Sequence, residues 1–270
     1  MRIPVILLAL ASLSACHSQT EKAQAEVPPP ITFEGALKSD AAAKLAHGER
    51  IASVLGCRGC HTPTLEGQRF YELYASNLTR EIPKYSDAQL DRLMRHGEHP
   101  SGREVWGMPS EIFQHLDDAD LAALTAYLRT LKPAGPPTGK PLPFEGEAKK
   151  LIDEGKIMPA SKSVVRDAKL LPPDLGKRHA LGRYITMVTC AECHGPELKG
   201  TPGDTPDLVV ASAYSRAEFE KFLTTGVPSG NRKLKNDLMS MVAKSRFSKM
   251  TISERDAVYA YLKARAEQPQ

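Results

Sequence analysis

The sequence predicts an all-α protein in which two tandem helical domains are joined by a proline-rich linker. Three observations predict this fold: a set of helix caps that occurs twice, a proline-rich stretch between the two copies, and a Cys-x-x-Cys-His motif near the start of each copy. The 270 residues suffice for one large domain or two small ones. With 41% hydrophobic and 25% charged residues, the composition is that of a folded protein.

The repeat is visible in the residues that start and stop helices. Ser86 stands three residues before Gln89, and Ser215 stands three residues before Glu218, which predicts a capping box at the start of each helix. A glycine follows each helix about three turns later, and apolar residues at helical spacing give each helix a buried face. The other predicted helices are the entry helices 48–55 and 182–188 and the last helices, which begin near Asp117 and Thr251.

These patterns divide the chain into five consecutive segments. A run of prolines marks the linker, and the sequence leaves open whether residues 147–170 form a short helix or an extended strap. The predicted segments are a signal peptide (1–15), a lipid-anchored tether (16–37), a first helical domain (38–132, the first repeat), a linker (133–170) and a second helical domain (171–270, the second repeat).

The N-terminus predicts export. A short basic start is followed by an apolar run over residues 3–13, which has the length of a signal peptide and is too short to span a bilayer. The sequence Leu13-Ser14-Ala15-Cys16 resembles the bacterial lipobox, so Cys16 is expected to be lipidated, and the alternative is an ordinary cleavage near Ala15. By resemblance to Gram-negative lipoproteins, His17 after the cysteine favours the outer membrane over the inner membrane.

The other four cysteines indicate covalent haem. In each motif two thiols can add to the haem vinyl groups, and the histidine that follows is placed under the iron as proximal ligand. A disulfide framework would leave one of the five cysteines over, structural zinc would need further nearby ligands, and a thioredoxin-like site would need strands. The predicted residues are Cys57, Cys60 and His61 in the first repeat and Cys190, Cys193 and His194 in the second.

A methionine is the predicted distal ligand in each repeat. In the first repeat, Met108 lies in a loop stiffened by Pro109, whereas Met94 aligns with Leu223 on a buried helix face. The remaining candidates there, His96, His99 and His115, are expected at the surface.

In the second repeat, Met239 and Met241 stand two residues apart, so only one of them can reach the iron. Met239 is the expected ligand, and the alternatives are Met241 and an open or His-ligated site. Met250 aligns with Leu116 and is expected to pack in the core.

These motifs resemble the class I cytochromes c, in particular the dihaem and trihaem subunits of periplasmic alcohol and aldehyde dehydrogenases and related dihaem lipoproteins. The resemblance covers roughly residues 40–132 and 175–265, and the Met-Ser-x-Val form at Met239 matches the pattern of the family. It implies two covalently bound haem c (heme c) groups and redox protein partners such as a dehydrogenase, an oxidase or another cytochrome.

Met/His ligation raises the iron potential and fills both axial positions, which suits electron transfer and leaves no open site for a substrate. The expected protein is therefore an exported dihaem electron carrier or electron-transfer subunit in the periplasm, attached to a membrane by its lipid and without enzymatic activity. The alternatives are a dihaem cytochrome c peroxidase, which needs one haem with an open sixth position, and a haem sensor. A net charge of +4 excludes a nucleic-acid reader.

Overall fold

Helices dominate the residues that this computed structural model describes, which are 29–70, 72–139, 143–231, 234 and 236–268. The predicted signal peptide and Cys16 lie outside these residues. Within the described part of the chain, no helix is long and apolar enough to cross a membrane.

The helix bounds are as follows. The first repeat contains α1 (Ala41–Val54), α2 (Cys57–Cys60), α3 (Leu78–Glu81), α4 (Asp87–His96), α5 (Ser110–Phe113) and α6 (Asp118–Leu128). The linker contains α7 (Gly146–Asp153) and α8 (Ala160–Asp167). The second repeat contains α9 (Ala180–Thr189), α10 (Ala191–His194), α11 (Arg216–Thr225), α12 (Leu238–Ser245) and α13 (Ile252–Ala266). Short 3₁₀ helices lie at Ile82–Lys84, Lys177–His179, Leu208–Ala213, Ser229–Asn231 and Phe247–Lys249.

The predicted capping boxes are confirmed at α4 and α11. Ser86 and Ser215 accept hydrogen bonds from the third backbone amide of their helices, and the Gln or Glu at that position accepts in return from the cap amide. Gly97 and Gly226 close these helices in the left-handed conformation, with φ of 64° and 75°, which an L side chain adopts only under strain. A third box, at Thr251, starts α13.

Two elements depart from the sequence expectation. A small antiparallel hairpin of β1 (Gln68–Phe70) and β2 (Leu73–Ala75) interrupts the otherwise helical fold. The region before the last helix of the second repeat, expected to be a loop, contains α12. Strands of three residues are too short to show an alternating pattern, and α12 carries no side-chain cap that would announce it.

The predicted linker packs on the first repeat. The amide of Ala160 at the start of α8 donates to the Val105 carbonyl at 2.7 Å, and α8 lies against α5. Further upstream, the side-chain amide of Asn77 donates to the carbonyls of Ala134 and Pro136 at 2.8 and 2.7 Å. The alternative that the sequence left open is thus resolved in favour of helices, and this segment is part of the body of the protein.

Each repeat is closed by the crossing of its entry helix and its last helix. A Cβ atom at Gly48 of α1 would stand 2.1 Å from the Ala123 carbonyl oxygen of α6, and one at Gly182 of α9 would stand 2.1 Å from the Ala257 carbonyl oxygen of α13. Real Cβ contacts are never that short, so both positions require glycine. The crossing brings the helix that leads into each motif against the helix that ends its repeat.

The two repeats are joined by a pair of buried carboxylates at equivalent positions. Asp120 and Glu254 each occupy the third position of the last helix of their repeat, and both are 0% exposed. Asp120 accepts from Tyr184 Oη of α9 at 2.7 Å, and Glu254 accepts from Arg50 Nη1 of α1 at 2.7 Å. Arg50 and Tyr184 each stand two residues after the crossing glycine, so each repeat contributes the same two positions to the interface.

Both carboxylates accept further hydrogen bonds. Asp120 also accepts from His47 Nε2 at 2.8 Å and from the backbone amide of Phe33 at 3.0 Å, while the amide of Glu34 donates to Glu254 at 2.8 Å. Burying an ionised carboxylate is costly unless hydrogen bonds replace the lost water. The interface meets this requirement with donors from both repeats and from the segment that precedes α1.

That segment departs from the predicted tether. Phe33 is fully buried, and its ring lies edge-on against the ring of Tyr184, with centroids 5.6 Å apart. The chain from residue 31 onward belongs to one compact unit, in which a continuous apolar core extends through both repeats. The predicted tether, residues 16–37, therefore reaches into the folded protein at its C-terminal end.

We expect Asp120→Ala to lower the free energy of unfolding by about 3–5 kcal/mol, because it leaves three buried donors without an acceptor. Denaturant unfolding followed by far-UV circular dichroism measures this change. The matched control is Asp153→Ala, which removes an exposed ion pair with Lys149 and should change stability little. A loss below about 1 kcal/mol for Asp120→Ala would contradict the role given to the buried carboxylate.

Candidate functional site

The first pair of motif cysteines lies on one face of a short helix. Cys57 and Cys60 begin and end α2, and residues three apart on a helix lie side by side. The turn into α2 is made by Gly56 in the left-handed conformation, with φ of 85°. Burial raises the pKa of the Cys57 thiol to about 11, so this thiol is protonated at neutral pH.

The second pair borders a large apolar cavity of about 1030 Å³. Cys190 stands between α9 and α10, and Cys193 lies in α10. Burial raises the pKa of the Cys190 thiol to about 11 as well. The residues that line the cavity include both thiols, His194, Phe219, Phe222, Leu223, Met239 and Met250.

Both motif histidines are held in the same way. The Nδ1–H group of His61 donates to the Ser76 carbonyl at 2.7 Å, and that of His194 donates to the Pro206 carbonyl at 2.8 Å. A donor at Nδ1 fixes the tautomer in which the Nε2 lone pair is free to bind a metal. Burial lowers the pKa of both imidazoles, against the opposing effect of these hydrogen bonds, which favours the neutral, metal-binding form.

These observations fit a covalently bound haem. Each motif offers two neighbouring thiols and an oriented imidazole with a free Nε2, and the second motif opens on a cavity with an apolar wall. Among the described residues, no three His, Cys, Asp or Glu side chains gather as a binding site for a single metal ion.

In the first repeat, the structure places Met108 in an irregular loop, partly buried and packed against the core. Met94 is buried on α4, as expected for a packing residue. Of the three histidines considered, His96 is exposed, while His99 is engaged with the Tyr85 hydroxyl at 3.0 Å. His115 is half-buried, and burial lowers its pKa.

The loop that carries Met108 is supported from two directions. The Trp106 ring packs on Phe144 of the linker, with centroids 4.9 Å apart. On the other side, Gly107 lies so close to Leu73 of β2 that a Cβ atom would stand 2.5 Å from its Cδ1 atom. Neither the linker nor the hairpin was expected to hold this loop, because the contacts join residues far apart in the sequence.

In the second repeat, Met239 lies in the first turn of α12 and lines the cavity. Met241 is 58% exposed, and residues two apart on a helix lie on nearly opposite sides. Met250 also lines the cavity, although alignment with Leu116 gave it only a packing role. The linker residues Lys156 and Ile157 border the same cavity, so the linker contacts the surroundings of both sites.

One arginine lies next to both motifs, and sequence reasoning missed it. Arg246 follows α12. Burial raises the thiol pKa of all four motif cysteines, and the positive charge of Arg246 lowers each of these pKa values by a smaller amount. No local pattern marks this residue, because its neighbours come from both repeats.

Comparison with known proteins places both repeats in one family. The family model described as Cytochrome c matches residues 45–132 and 179–266, once in each repeat. A protein of Cereibacter sphaeroides described as "Diheme cytochrome c-type" is 24% identical over an alignment of 275 positions that covers 87% of this chain and 90% of that protein.

Two subunits of dehydrogenases are also similar. The fructose dehydrogenase cytochrome subunit of Gluconobacter japonicus is 28% identical over an alignment of 173 positions that covers 56% of this chain and 35% of the subunit. The cytochrome c subunit of the quinone alcohol dehydrogenase of Gluconacetobacter polyoxogenes is 26% identical over an alignment of 243 positions that covers 80% of this chain and 47% of the subunit. The chain thus spans less than half the length of these two relatives.

Proposed function

The chain belongs to the cytochrome c family and carries two covalently bound haem c groups, and on this premise we propose that it transfers electrons between redox proteins in the bacterial periplasm. The observation that carries the proposal is the shared arrangement at the two motifs. In both, a pair of thiols adjoins an imidazole whose Nδ1 is fixed by a backbone carbonyl.

In this proposal the residues have defined roles. Cys57 and Cys60 attach the first haem, and Cys190 and Cys193 attach the second. The proximal imidazoles are the histidine that follows each pair, His61 and His194. The Nδ1 hydrogen bonds keep these imidazoles neutral and oriented.

The distal ligands in this proposal are Met108 and Met239. When bound, each haem supplies a one-electron ferric/ferrous couple. The thioethers of these two residues would hold the distal side of the haems and keep water from the irons, which would favour electron transfer over peroxide chemistry. The partly buried loop at Met108 and the position of Met239 at the cavity wall support this assignment.

The proposed electron donor is a dehydrogenase. Two relatives are named as cytochrome subunits of dehydrogenases, and each is longer than this chain. The dihaem relative from Cereibacter sphaeroides matches this chain over nearly its whole length. We therefore expect a carrier or subunit built from two haem domains, which accepts electrons from a dehydrogenase and passes them to an oxidase or another cytochrome.

Removing both thiols of one motif should remove one haem. We expect the Cys57→Ala/Cys60→Ala and Cys190→Ala/Cys193→Ala double variants each to carry one covalent haem, measured by intact-protein mass spectrometry and by the pyridine haemochrome absorbance. Cys16→Ala, which leaves both motifs intact, is the control and should carry two. A double variant that still carries two covalent haems would contradict the assignment of its motif.

The distal ligands can be identified by methionine-to-leucine variants, which nearly conserve volume and cost less than about 1.5 kcal/mol in packing. Met108→Leu and Met239→Leu should each abolish the Met–iron absorption band of one ferric haem and lower its potential, because a soft ligand is lost. Met94→Leu, Met241→Leu and Met250→Leu are the matched controls and should keep both bands. If Met241→Leu or Met250→Leu removes the second band instead, Met239 is not the ligand.

The lipid anchor is proposed from the sequence at Cys16, which lies outside the described residues. The full-length chain, expressed in a Gram-negative bacterium, should sediment with membranes, and Cys16→Ser should shift it to the soluble periplasmic fraction. Both forms should carry two haems, which controls for export and maturation. Recovery of the unaltered chain wholly in the soluble fraction would contradict lipidation.

A further inference from the structure

Arg246 lies between the two Cys-x-x-Cys-His motifs and hydrogen-bonds to the helix that leads into the first motif and to a residue inside the second. Its Nε donates to the Val54 carbonyl at 3.1 Å, three residues before Cys57. Its Nη1 donates to Glu192 Oε2 at 2.7 Å, and Glu192 is one of the two residues between the second pair of cysteines. One side chain therefore spans the distance from one motif to the other.

The guanidinium is tightly enclosed. Its side chain is 12% exposed, and a Cβ atom at Gly56, the residue before the first motif, would stand 2.7 Å from Cζ. The guanidinium also lies over the Phe247 ring, 5.7 Å from its centroid. The left-handed Gly56 thus serves a second purpose, because any larger residue there would displace the arginine.

The charge on this side chain is permanent and only partly compensated. A guanidinium does not lose its proton in proteins, and the ion-paired carboxylate, that of Glu192, is 29% exposed. Buried Nη2 has no hydrogen-bond partner among the described residues, and Arg246 also lines the cavity at the second motif. A cation in this position stabilises the more negative, reduced form of a nearby redox centre.

We propose that Arg246 is a positioning residue shared by the two haem sites, which fixes the separation of the two motifs and raises the potential of both haems with one charge. The inference rests on the proposed function, in which each motif holds a haem. It goes beyond that function by assigning one residue, which belongs to neither motif, to both sites at once.

A purely structural ion pair would have a different signature. If Arg246 only stabilised the contact between the repeats, its replacement would lower stability without a directed shift of both potentials. If its charge acted on the second site alone, only one potential would move. The potentials of the two haems, measured separately, distinguish these cases.

The test uses the full-length dihaem protein and spectroelectrochemical titration of its two haems. Arg246→Gln should lower both midpoint potentials. At a fixed applied potential, the ratio of reduced to oxidised haem should fall roughly threefold to tenfold at each site. Glu192→Gln, which removes the opposing charge, should raise both. Arg246→Lys keeps the charge and should leave both potentials near those of the unaltered protein.

The matched control is Arg216→Gln, which breaks an ion pair with Asp256 elsewhere in the second repeat, where Arg216 is 66% exposed. It should move neither potential comparably. Before titration, each variant is checked by mass spectrometry for two covalent haems. Fewer than two haems in the unaltered protein would refute the proposed function itself.

With two haems in place, a shift of one potential only, or of neither, in Arg246→Gln would overturn the inference and leave the proposed function standing. If Arg246→Gln does not fold, Glu192→Gln decides: a rise in both potentials supports the shared role, and any other result overturns it.

Discussion

The packing of the two repeats against each other depends on two carboxylates, Asp120 and Glu254, which lie at equivalent positions of the two repeats. Both are fully buried. A buried negative charge is tolerated only where donors surround it, and here the donors come from the entry helices of both repeats and from the chain before α1. Each carboxylate therefore specifies how the two repeats face each other. The apolar core that continues through both repeats follows from the same arrangement.

The relative placement of the motifs follows from that interface. The entry helices that carry these interface contacts lead directly into the two motifs, so fixing the helices fixes the motifs as well. The linker also helps to hold the two repeats together, because α8 packs on the first repeat and Ile157 borders the cavity of the second. A fixed distance between the two sites favours electron transfer, because an electron can then pass between them without a movement of the two repeats.

Local features of the fold could be predicted from the sequence, and long-range ones could not. Capping at Ser86 and Ser215 depends on residues within one turn, so the sequence is sufficient to predict it. The motif cysteines and histidines could be proposed as haem-binding residues because the Cys-x-x-Cys-His spacing alone indicates that chemistry. Sequence reasoning missed the burial of Phe33, the support of the Met108 loop and the position of Arg246, because each depends on partners distant in the chain. The repeat pattern predicted two tandem domains joined by a linker. It could not predict their interface, because a repeat shows which residues the two copies share and not which residues of one copy contact the other.

The central claim is that the two haem sites are held at one fixed separation by a shared interface. Pulsed electron paramagnetic resonance of the fully oxidised dihaem protein measures the distance between the two low-spin irons directly. The account predicts a single narrow distance distribution that is unchanged between dilute buffer and added salt. A broad distribution, as expected for two domains moving on a flexible linker, would contradict it.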